Sequence, residues 1–166
     1  EKLTPLGEHL AALPLDVRIG KLILLSTAFG PDATDKALTI AAALSSPGGA
    51  FLRPLEERDR VNEAKARFAE RSGTTPGAQS DHLAVLQAYL EWNRSMDKSG
   101  FCKEHFLGWR TLQAMVTLKR QLLGILSSAG FVQKDLDAQA AESFGARTNS
   151  DGVLAALGGE KDTRKA

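Results

Sequence analysis

The chain has 166 residues, 43% of them hydrophobic and 25% charged, with 15 Gly and 6 Pro, proportions that exclude long disorder, collagen and a membrane protein. A formal net charge of +1, from 21 Lys plus Arg against 20 Asp plus Glu, neither demands nor excludes a nucleic-acid partner. The single cysteine, Cys102, allows no internal disulfide and fits a reducing, intracellular compartment, while the absence of a long apolar run or signal peptide predicts no membrane partner. A chain of this size is expected to bury one sizeable core and to fray at its ends.

Leu3-Thr4-Pro5 supplies an apolar residue, a capping hydroxyl and a first-turn proline, which predicts a helix from residue 5. Its stripe is Leu6, Leu10 and Leu13, and Pro14 ends it. Asp16 caps a second helix that continues through Val17, Leu24 and Ala28 to the break at Gly30-Pro31-Asp32. A third is predicted over Ala33 to Leu44, followed by a Ser-Pro-Gly loop and then an extended stretch from Ala50 to Pro54, because residues before proline avoid the helical region. The next helix, Glu56 to Arg71, has its acids early and its bases late, which complements the helix dipole, and its charges read as a solvated face. After the loop Ser72 to Gly77, Ser80 or Asp81 caps a helix carrying Leu83, Leu86, Tyr89, Leu90 and Trp92, with a break expected at Ser99-Gly100. A short helix around Lys103 to Phe106 leads into the longest amphipathic element, Trp109 to Ala129, which Gly130 terminates. Further helices are expected over Leu136 to Phe144 and from the Asn149-Ser150-Asp151 cap to Leu157. No alternating run marks a strand, so the fold class is all-α, with about seven helices.

Chemical motifs are mostly absent. Gly20-Lys21 lacks the upstream glycine and following hydroxyl of a phosphate loop, so no ATP site is expected. Cys102 and His105 have no second ligand pair, which excludes a structural zinc site. Ser80, Asp81 and His82 are adjacent at a helix start, where they cap and cannot line up as nucleophile, base and orienter. Carboxylates sit in surface patterns with no apolar pocket to raise a pKa, so no enzyme active site is expected in this chain.

The Trp109–Ala129 segment is the informative one. No Asp or Glu occurs between His105 and Lys134, whereas Arg110, Lys119, Arg120 and Lys134 fall within or at the end of that stretch. Projected at about 100° per residue, Leu112, Met115, Val116, Leu118, Leu122, Leu123, Ile125 and Leu126 occupy one arc, and Arg110, Gln113, Thr117 and Gln121 line the other side. Amide, hydroxyl and guanidinium donors without a carboxylate suit phosphate and sugar contacts, as well as plain solvation. Lys119 projects into the apolar arc, where an ammonium is costly unless it snorkels or meets an acceptor.

Beyond these patterns, the segment Leu3 to Pro14 with Gly20-Lys21 resembles the junction between winged-helix and ratchet domains in DEAH-box and related DExH RNA helicases. The likeness continues through Leu38-Thr39-Ile40-Ala41-Ala42-Ala43-Leu44-Ser45, Phe51, Arg53-Pro54, Ala64-Lys65-Ala66-Arg67-Phe68 and Ser80-Asp81-His82-Leu83, and then Leu86, Tyr89 and Trp92. Cys102, Phe106-Leu107, Leu112 and Lys119 with Gln121-Leu122 match the closing helices, so the likeness covers roughly residues 3 to 132 and keeps the family's order. Departures are Pro31 in place of the usual cysteine, a Gly-Gly insertion before Phe51, and Lys119 where many members carry arginine, which loses the planar fork for bidentate phosphate contact.

The resemblance implies a winged-helix tail over residues 1–15, a helical ratchet domain over 16–145 and a connector over 146–166 toward an OB-like fold that the chain does not supply. It implies no cofactor in this chain, with ATP and Mg held by RecA-like motor domains of a longer protein, and single-stranded RNA as partner, bound weakly by this part alone. The implied RNA-binding residues are Arg53, His82, Arg110, Gln113, Thr117, Lys119 and Gln121. Trp92 and Trp109 read as core or interface residues, with base stacking as their other use. The competing expectation is a helical scaffold that docks neighbouring domains or an activator without touching RNA.

Overall fold

A computed structural model describes residues 2–73 and 80–132. Seven α-helices occur among them: α1 (Pro5–Ala12), α2 (Val17–Ser26), α3 (Pro31–Leu44), α4 (Arg58–Arg71), α5 (Asp81–Arg94), α6 (Lys98–Glu104) and α7 (Trp109–Ser128). Short 3-10 turns at Thr27–Phe29 and Leu55–Glu57 precede α3 and α4. No strand is found among the described residues, and one isolated antiparallel bridge joins Phe51 to Leu107. The all-α class is therefore correct. The helices expected at Leu136–Phe144 and Asn149–Leu157 lie outside the described residues.

Chain length led to the expectation of one core, yet the contacts group into two compact units. Among the described residues, one unit combines 2–41 with 118–132, and the other lies within Ala42–Thr117; the boundaries fall inside α3 and inside α7.

In the first unit, helix starts follow their capping chemistry. Thr4 Oγ1 accepts from the Gly7 N–H at 3.1 Å with Pro5 behind it, and the Asp16 carboxylate accepts from the Arg18 N–H at 2.8 Å. Helix α3 opens at Pro31, two residues earlier than predicted, because a proline needs no N–H partner in a first turn. Leu13, Ile23, Leu24, Leu38 and Ala41 form the core with Leu122, Leu123 and Leu126. Gly20 is buried, and a Cβ there would stand 3.1 Å and 3.2 Å from the Leu10 and Leu13 methyl groups, so glycine is what lets α1 approach α2. At the end of α7, Gly130 takes φ 78° and the Phe131 N–H returns to the Leu126 carbonyl at 3.0 Å, the left-handed helix stop predicted for this glycine.

In the second unit α4 and α5 pack side by side around an aromatic core. Phe68 and Trp92 are fully buried and Tyr89 nearly so. Phe68 is surrounded by the rings of Phe51, Phe101 and His105, with centroids 5.2 to 6.3 Å away. Helix α6 corrects the predicted break at Ser99-Gly100 and the short helix placed over Lys103 to Phe106: the Asp97 carboxylate accepts from the Gly100 N–H at 2.8 Å, so the helix begins ahead of the glycine. The stretch before Pro54 is extended, as predicted. It is clipped to the turn before α7 by Leu52 N–H to Phe106 O at 2.7 Å and Gly108 N–H to Ala50 O at 2.9 Å.

Candidate nucleic-acid interface

Helix α7 presents the amphipathic division expected of it. Leu112, Met115, Val116, Leu122, Leu123 and Leu126 are buried. Arg110, Thr117 and Gln121 are exposed and Gln113 is half-buried. The Thr117 hydroxyl donates to the Gln113 carbonyl at 3.2 Å, one turn back, which leaves its lone pairs and the Gln113 amide for outside partners. Arg110, Gln113 and Thr117 belong to the second unit, and Gln121 to the first.

Arg53 is exposed on the extended segment that the clip ties to the start of α7, so the backbone brings it to the same end of that helix as Arg110. The clip turns at Phe106, a non-glycine residue at φ 56°, a conformation that costs on the order of 1 kcal/mol or more and persists only where neighbours impose it. Its carbonyl is held by Leu52, and the Arg60 guanidinium lies over its ring at 5.3 Å. His82 is exposed on the first turn of α5, next in sequence to Asp81, which pairs with Lys65 at 2.7 Å. Ser80 occupies the cap position of that helix, but its side chain accepts no capping hydrogen bond, unlike the cap expected of it.

Lys119 is placed differently from the role implied for it. It is 1% exposed, and its ammonium stands 2.7 Å from Asp35, itself 5% exposed. Of the two ways an ammonium can survive in an apolar arc, this is the acceptor one. Two residues beyond Thr117 a helical side chain turns by about 200°, which takes Lys119 from the exposed side to the core. Burial raises the Asp35 pKa, an effect that Lys119 opposes; burial likewise lowers that of Lys119, against the pull of Asp35. Lys119 is thus a structural residue of the first unit and not a surface donor.

The two tryptophans, read alike as core or interface residues, are placed differently. Trp92 is entirely buried, as a core reading requires, whereas Trp109 remains 44% exposed, its ring edge-on to Trp92 at 5.9 Å and 78°. Trp92 is braced in turn by Tyr89 at 5.8 Å and by the Lys98 ammonium 5.0 Å from its ring. Cys102 is buried beside this group, and burial pushes its thiol up in pKa, with the Trp92 N–H partly offsetting the shift. No group of three or more His, Cys, Asp or Glu that could hold a metal occurs among the described residues.

Residues 16–85 match the family described as "Helicase associated domain (HA2), ratchet-like". The "Putative ATP-dependent RNA helicase DHX57" of Mus musculus is 45% identical across 98% of this chain, which covers 11% of that protein. "DExH-box ATP-dependent RNA helicase DExH1" of Arabidopsis thaliana is 42% identical across 81% of the chain, and "ATP-dependent RNA helicase DHX29" of Mus musculus 35% across 78%, with 13% and 9% of those proteins covered. The chain thus spans about a tenth of the length of these relatives. By the family match and by identities of 35 to 45% over most of its length, the chain belongs to the ratchet-like helicase-associated domains of DExH/DEAH-box RNA helicases.

Proposed function

We propose that this domain forms one wall of a single-stranded RNA channel in an ATP-dependent RNA helicase and couples motor movement to translocation of the strand. The carrying observation is the exposed, carboxylate-free side of α7, where Arg110, Gln113, Thr117 and Gln121 offer donors to phosphate and sugar oxygens without reading base identity. ATP and Mg belong in this reading to RecA-like motor domains of a longer protein, which contact this domain together with winged-helix and OB-like neighbours. The domain itself supplies grip and no chemistry.

One wall binds weakly. The isolated chain is expected to bind single-stranded RNA at micromolar affinity or worse, with strong salt dependence, in a fluorescence anisotropy titration at two salt concentrations. In a full-length helicase, Arg110→Ala and Gln113→Ala are expected to reduce RNA-stimulated ATPase and unwinding while the melting curve stays unchanged. Salt-insensitive nanomolar binding, or unaltered RNA affinity in Arg110→Ala, Gln113→Ala and Gln121→Ala together, refutes the channel reading.

A second reading is favoured by one feature of the first unit. Val17, Leu22, Leu25 and Phe29 are 41 to 80% exposed along α2 and the turn after it, an apolar face suited to docking another domain. Two sets of variants separate the readings: substituting Leu25 and Phe29 by Ser is expected to abolish domain association if the domain is a scaffold, and the Arg110 and Gln113 variants then leave RNA affinity of the full-length protein unchanged.

A further inference from the structure

We infer that Trp109 is a stacking platform for one base of the single-stranded RNA, with Arg53 and Arg110 taking the phosphates on either side of it. The inference rests on the channel reading above and names the contact within it.

Three features of the second unit carry it. First, Trp109 is a large aromatic with 44% of its surface open, and its ring rests in a T-shaped contact on fully buried Trp92. An aromatic ring held this way stacks a base with little ordering cost, and every base has a face to offer. Second, the two hydrogen bonds of the clip and the strained turn at Phe106 fix the backbone of Arg53 to the start of α7. Third, the start of α7 itself carries cationic and no anionic charge, with Glu56 and Glu57 confined to the turn that follows Arg53-Pro54. The first turn of α7 holds no acid but does hold Arg110, a cation at the positive end of the helix dipole. That placement destabilises the free helix and is relieved by an anion, so the complement of this surface is a polyanion carrying flat apolar groups. Exposed Leu52 beside the clip adds apolar contact for the sugar or base edge.

The chain contains two tryptophans, of which Trp109 is the exposed one, and the quenching that Trp109→Phe removes is the part that reports the proposed contact. The probe is a single-stranded RNA of about ten nucleotides, together with an abasic strand of the same length, titrated into the full 166-residue chain. RNA is expected to quench the emission, and the abasic strand to quench little and bind about tenfold more weakly. Trp109→Ala is expected to bind RNA about tenfold more weakly with the salt slope unchanged. Trp109→Phe retains most of the affinity and loses the quenching, which guards against a folding defect in the alanine variant. Arg53→Ala and Arg110→Ala are each expected to lower the salt slope by about one. RNA binding that is indifferent to Trp109→Ala, or equal for the abasic strand, overturns the platform and leaves the channel reading standing; Trp109 then belongs to a protein-docking surface. No salt-dependent RNA binding by the unaltered chain overturns both.

Discussion

Among its described residues, the first unit has an aliphatic core and a buried charge pair, Lys119 with Asp35. The second packs aromatic rings and buries no charged side chain among its described residues. Its cations lie instead on ring faces or at the rim: the Arg71 guanidinium sits 4.9 Å from the Phe68 ring centre and reaches Glu91 at 2.6 Å, and Lys98 covers Trp92. The contrast is one of cost. A charge pair taken out of water loses hydration that its mutual attraction only partly restores, whereas a cation on an aromatic face keeps much of its hydration. The first unit therefore depends on both members of a pair being present, and the second depends on ring volume.

The largest expected effect breaks the pair. Lys119→Met leaves the Asp35 carboxylate uncompensated among aliphatic groups and is expected to cost about 3–5 kcal/mol in urea unfolding followed by circular dichroism. The double variant Asp35→Leu with Lys119→Met is expected to regain most of that loss. A single variant costing under about 1 kcal/mol removes the distinction between the two units. Next come the cores themselves: Phe68→Ala in the second unit is expected to cost about 3–5 kcal/mol and Leu122→Ala in the first about 2–5 kcal/mol, since each leaves a void. A smaller loss of about 1 kcal/mol is expected for Asp97→Ala, which removes the cap of α6. The least is Lys36→Ala, whose pair with Asp32 at 2.6 Å is exposed on both sides and is worth about 0.5 kcal/mol or less. A larger loss there means that surface pairs, and not the cores, hold these helices.

What the sequence made legible was local. Thr4-Pro5, Asp16 and Gly130 announce helix ends because caps and left-handed stops act within one turn, and the apolar arc of α7 declares its buried side through spacing alone. Ser99-Gly100 misled because its breaker residues sit within reach of the Asp97 carboxylate, and a cap outweighs a glycine. Lys119 was legible as an anomaly but not as half of a pair, since its acceptor lies on α3. The exposure of Trp109 was likewise hidden: composition treats both tryptophans alike, and which of them lies at the surface depends on packing between segments distant in sequence.

The lone thiol gives the second unit a built-in clock. Cys102 is 4% exposed and its pKa is raised by burial, so an alkylating reagent meets a protonated, covered sulfur while the unit is closed. Modification then proceeds only through openings that lift the aromatic group away from α6, and its rate reads the frequency of those openings in the unmodified chain. Whatever grips the second unit from outside slows that clock, and a ligand confined to the first leaves it running.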